Sequence, residues 1–185
     1  FTIMKKLFIF ALAVIACAIT ANAQYRYALG PIVGSLYGGS YKMYCSENIV
    51  FQTDLYVGLH KIAGKVFLEE IDYGAITEGH WDFTLNPNVM YQAPICDVKV
   101  GWLNYFAGMG ISGGIAMEYG YPYVYGKIGT NAIAGMEYVF EGIPFSISAD
   151  FRPGYAYMVG VPLGIKTEVH MFDWSVGFAL RYYVK

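Results

Sequence analysis

The chain has 185 residues, with 12 Lys+Arg against 14 Asp+Glu and a formal net charge of −2. Charged residues make up only 14%, where a soluble domain carries about 25%, and aromatic residues reach 18%, with 18 Tyr and 12 Phe. This excludes a basic nucleic-acid surface and leaves too little charge for a fully wetted exterior, but it suits a wall that faces lipid.

The first segment reads as a targeting signal. Lys5 and Lys6 precede an apolar run from Leu7 to Thr20, and Ala21-Asn22-Ala23 is a small-x-small cleavage site before Gln24. The run is shorter than the roughly 20 residues that a helical span requires. Residues 1–23 are therefore expected to be a cleavable signal peptide, and residues 24–185 one barrel domain. Cys17 sits in a poor lipidation box, because apolar residues continue beyond it.

Period-two alternation, the signature of a strand with two unlike faces, recurs along the rest. Less regular strands are predicted at about Tyr25–Tyr37, Lys65–Ile71 and Val98–Ile111. Clear ones fall at about Ile49–His60, Trp81–Gln92, Gly126–Phe140, Ile143–Pro153 and Asp173–Lys185. In the last, Trp174, Val176, Phe178, Leu180, Tyr182 and Val184 alternate with Asp173, Ser175, Gly177, Ala179, Arg181 and Tyr183. Pro31 and Pro87 fall inside strand patterns and suggest bulges.

The sum is an all-β, eight-stranded, antiparallel up-and-down transmembrane β-barrel, with both termini on one side. Short connections at Lys61–Gly64, Ala93–Asp97 and Glu141–Pro144 would face the periplasm. Longer ones at Gly38–Asn48, Asp72–His80, Ser112–Tyr125 and Gly154–Phe172 would face outside. That order puts Cys45 and Cys96 at opposite ends as unpaired thiols, since a disulfide needs Cα atoms within about 7 Å. A soluble barrel would bury the large apolar face and display a charged one. Here the opposite face is Gly, Ser, Asn and a few charges, which fits a lumen filled by side chains.

Gly135-Met136-Glu137-Tyr138-Val139-Phe140-Glu141-Gly142-Ile143-Pro144, followed by Asp150-Phe151-Arg152-Pro153, resembles the small eight-stranded outer-membrane barrels of the OmpA/OmpX type from Gram-negative bacteria. Trp102 to Gly110, with Tyr105 and the Gly108-x-Gly110 step, and the ending Leu180-Arg181-Tyr182-Tyr183-Val184-Lys185 are similar to that family as well. The resemblance implies the cell outer membrane, lipid contact, insertion by the barrel-assembly machinery, and no cofactor.

The inward charges would be Asp54, Asp82, Lys127, Glu137, Asp150, Arg152 and Arg181, with Glu69. They read either as a conducting file or as ion pairs that hold a plugged barrel, and an eight-stranded bore favours the plug. Glu137 and Arg181 are expected to form the main pair. In Glu118-Tyr119-Gly120-Tyr121-Pro122-Tyr123-Val124-Tyr125, the four tyrosines Tyr119, Tyr121, Tyr123 and Tyr125 form either an outer aromatic girdle or a contact surface. Alternation through Tyr155, Tyr157 and Val159 suggests that the last two strands extend past the membrane. His80 and His170, with Asp72, Glu78, Glu168 and Asp173 nearby, form no nucleophile–base–acid set at strand spacing, so no enzyme is expected. Three histidines and two mature-chain thiols make no metal set. The expected role is a monomeric structural or surface-interacting barrel that meets any extracellular ligand through its long loops. A narrow porin-like channel is the alternative, and a lipid-modifying enzyme a distant third.

Overall fold

The computed structural model describes residues 27–35, 37–60, 66–67, 80–118, 124–160 and 167–184, and the signal-peptide expectation lies outside them. Nine strands run in chain order: β1 Tyr27–Gly34, β2 Tyr37–Tyr44, β3 Ile49–His60, β4 Val66–Phe67, β5 His80–Val98, β6 Gly101–Glu118, β7 Val124–Phe140, β8 Phe145–Gly160 and β9 Thr167–Val184. Eight pair antiparallel with their sequence neighbours, and β9 returns to β1 to close the wall. The two-residue β4 pairs with β9 at Phe172 and Met171, above the closed wall.

Closure fixes the shape. Register partners run from Tyr27 through Met43, Phe51, Val89, Met109, Ala132, Pro153 and Trp174. The circuit meets the line of β1 with a stagger of ten residues. Eight strands with that stagger tilt about 40° to the axis.

Two expectations change. The stretch Gly38–Asn48, expected as a loop, is mostly β2, and Lys65–Ile71, expected as a barrel strand, contributes only β4. The strand count survives because one gain offsets one loss. The connections at 45–48, 99–100 and 141–144 then share the end that bears the termini, and because β2 carries the chain back to it, Cys45 and Cys96 share that end instead of lying at opposite ends as expected. No disulfide joins them: Cys45 is buried and Cys96 exposed.

The prolines do not make bulges. Among the described residues the one register shift in the β5–β6 ladder lies between Pro94 and Cys96. Pro31, Pro87 and Pro153 instead leave gaps opposite Leu180, Ile111 and Ala132 without moving the register, because each lacks the N–H that the facing carbonyl needs. Two of these carbonyls are capped from the lumen: Asn86 Nδ2 donates to Ile111 O at 2.8 Å, and Asn131 Nδ2 to Ala132 O at 3.3 Å.

A charge-filled lumen as the candidate functional site

Alternation sorts the side chains by face. Every outward strand position with a described side chain from Trp81 to Ile95 on β5, Leu103 to Met117 on β6, Val124 to Phe140 on β7 and Phe145 to Val159 on β8 is uncharged. Met109, Ile111, Ile128 and Met136 are more than half exposed there. Trp81 and Tyr91 bracket the wall on β5. Ten residues of strand at that tilt span about 25 Å along the axis, the height of a hydrocarbon band.

The lumen holds the opposite population. Its buried charges among the described residues are Lys42, Lys127, Arg152 and Arg181 against Asp54, Asp82, Glu137 and Asp150, which balance. They stand in three groups along the axis.

The lower group lies toward the termini. Glu137 Oε2 accepts from Lys42 Nζ at 2.6 Å and from Gln92 Nε2 at 2.9 Å, while Oε1 accepts from Ser146 Oγ at 2.9 Å. Arg181 Nη1 is 3.6 Å from Glu137 Oε1, and donates to Ser148 Oγ at 2.7 Å. Glu137's nearest cation is thus Lys42, not Arg181, which corrects the expected main pair. Lys42 is not legible in the sequence, because the glycines before it and the polar residues after it give β2 the pattern of a loop. Gly135 makes room beside this group: a Cβ there would lie 2.6 Å from Phe106 Cζ and 2.3 Å from Ala149 O.

The middle group is a fork. Arg152 donates through Nε to Asp150 Oδ1 at 2.5 Å and through Nη2 to Asp150 Oδ2 at 3.0 Å, while Nη1 reaches Asp54 Oδ2 at 2.7 Å. Gln52 Nε2 also donates to Asp54 Oδ2, at 2.8 Å. One surplus cation below thus faces one surplus anion here. Arg181 Nη2 and Asp54 Oδ1, both buried without a hydrogen bond among the described residues, belong to those two groups. An asparagine cluster sits alongside, with Asn86 Nδ2 donating to Asn131 Oδ1 at 2.6 Å and Asn131 Nδ2 to Asn88 Oδ1 at 2.7 Å. In the upper group Lys127 Nζ lies 2.6 Å from Asp82 Oδ2. A cavity of about 50 Å³ between Arg152 and Lys127 has room for a few waters.

Glu69, Tyr119, Tyr121 and Tyr123 lie outside the described residues. Tyr125, expected at a surface or girdle, is instead buried in the lumen, its ring packed over Gly160, where a Cβ would meet it at 2.4 Å. His170 stands on the outer face of the β8–β9 extension, hydrogen-bonded to the Tyr155 hydroxyl and beside the Tyr157 ring.

The chain matches no protein-family model and no curated protein sequence. Among solved structures it is similar to Neisserial surface protein A (NspA), at 13% identity and a TM-score of 0.35, covering 85% of this chain and 93% of that one. It is also similar to Ail, the attachment invasion locus protein of Yersinia pestis, at 12% identity and a TM-score of 0.32, covering 84% and 93%. At these scores the likeness carries no conclusion about function.

Proposed function

We propose that the chain is a small outer-membrane β-barrel with a sealed lumen and a structural or surface-interacting role. One observation carries this: a closed wall with uncharged, largely apolar side chains outside and all its strand-core charges inside. In lipid every backbone polar group needs an internal partner, and a closed barrel supplies one. The tyrosines near the ends of the wall, such as Tyr91, Tyr105, Tyr155 and Tyr182, suit the lipid–water boundaries. The tight connections at 45–48, 99–100 and 141–144 then face the periplasm, with the termini. The opposite end of the wall, where β3, β6 and β8 stop and β5, β7 and β9 begin, then faces outside, where any partner would be met. The lumen groups consume one another's hydrogen bonds, so they serve closure rather than transport or catalysis.

The test has two arms. Membrane fractionation should recover the protein with outer membranes, with heat-modifiable migration on gels, and a soluble periplasmic product would overturn the placement. Refolded protein in planar bilayers should give no discrete conductance steps. Regular ion-sized steps would overturn the sealed lumen and make the barrel a narrow channel.

A further inference from the structure

The end of the barrel that bears the termini is an open cup of about 230 Å³. Its floor is the hydroxyl pair of Tyr44 and Tyr183, 2.8 Å apart, together with Gln92. Gln92 is turned inward, because both ends of its amide are engaged by Lys42 and Glu137. Trp102, Asn104 and Glu47 stand around the cup. Asn104 is the informative one. It is 6% exposed, and among the described residues no hydrogen bond reaches its amide. The little exposure it keeps opens on the cup it lines, so its donor and acceptor are available to something that enters.

We infer that this cup binds a sugar ring bearing a hydroxyl or acetamido group. The Asn104 amide offers a donor and an acceptor side by side, which matches vicinal hydroxyls or an acetamido group. Trp102 supplies an apolar face for the C–H side of a pyranose. Glu47 accepts from a further hydroxyl, and among the described residues no cation lines the cup to call for an anionic ligand. A blind cup the size of a single ring fits a sugar better than an extended peptide, which would need an unpaired strand edge. The strands at this end are paired on both sides, β1 with β9 included. Only the source of the sugar rests on the outer-membrane placement: there, cell-wall glycan and free periplasmic sugars share this chemistry.

The experiment uses full-length mature protein refolded in a detergent without sugar headgroups. Trp81→Phe and Trp174→Phe leave Trp102 as the fluorescent reporter, since the chain has three tryptophans. Titration with an N-acetylglucosamine disaccharide should give a saturable change. Asn104→Ala should weaken it about tenfold, the worth of one good hydrogen bond, and Glu47→Ala, in an exposed turn, by less. Heat-modifiable migration reports folding, and Asn104→Asp replaces the alanine variant if that one does not fold. No saturable change, equal responses in wild type and both site variants, or an equal response to a neutral tripeptide would overturn the inference. Co-sedimentation with purified cell-wall sacculi, competed by the disaccharide, assigns the polymer, and disaccharide binding without co-sedimentation assigns a free sugar. Recovery of the protein outside the membrane would overturn the placement and leave the titration standing.

Discussion

Removing the Glu137 carboxylate should damage the barrel more than removing either of its cations. Lys42 Nζ lies 2.6 Å from Glu137 and Arg181 Nη1 3.6 Å, with all three side chains fully buried. At an effective dielectric of about 20, those separations correspond to attractions of about 6 and about 5 kcal/mol before desolvation. Glu137→Gln leaves two neighbouring cations without their anion and should cost about 3–5 kcal/mol. Lys42→Met leaves Glu137 with Arg181, a neutral pair, and should cost about 1–2 kcal/mol, mostly through lost hydrogen bonds. The double variant removes one charge of each sign and should be less destabilised than the sum of the singles, by about 2 kcal/mol. Reversible urea unfolding in lipid vesicles, followed by gel migration and tryptophan fluorescence, gives the three values. A Lys42→Met loss equal to or larger than that of Glu137→Gln would refute the charge argument. So would additivity to within about 0.5 kcal/mol.

Asn86→Leu should cost about 1–3 kcal/mol by uncapping the Ile111 carbonyl, and adding Pro87→Ala should recover part of that by restoring a ladder donor; unfolding midpoints report both. Gly160→Ala should be rescued by Tyr125→Leu, because the obstructing atoms belong to the Tyr125 side chain. Gly135→Ala should not be rescued by Phe106→Leu, because its nearest obstacle is the Ala149 carbonyl; folding yield read from heat-modifiable migration separates the two. In the folded protein Cys96 should react with a maleimide and Cys45 only after denaturation, as their exposure implies, and thiol counting with and without denaturant checks this.

What could be read from the sequence followed the strength of alternation. In Ile143–Pro153 and Asp173–Lys185 one parity is mostly large and apolar, and there the strands and their inward residues were legible. In Gly38–Tyr44 the alternation is present, with Gly39, Tyr41 and Met43 against Gly38, Ser40 and Lys42. The glycine pair and the nearby Ser46, Glu47 and Asn48 make it look like a loop. Lys42 was hidden with it, so the anion Glu137 was legible and its nearest cation was not. The proline gaps were legible as interruptions, but their asparagine caps were not, since a cap depends on which carbonyl faces the proline across the ladder. Tyr125 was misplaced because its alternating tyrosine neighbours suggested a surface run, whereas β7 starts at Val124 and turns position 125 inward.

The β1–β9 ladder is interrupted opposite Pro31, so the last join of the wall is held by two short runs of three register pairs each. The lower and middle charge clusters draw their members from both sides of that join: Lys42 from β2 with Glu137 from β7 and Arg181 from β9, and Asp54 from β3 with Arg152 from β8. A half-assembled sheet would hold these ions apart in a non-polar medium, where none of them can be tolerated alone. The clusters thus act as a latch, and assembly becomes all-or-none. The weakest seam in the hydrogen-bonded wall is locked from within, and a barrel open at that seam has no stable intermediate at which to pause.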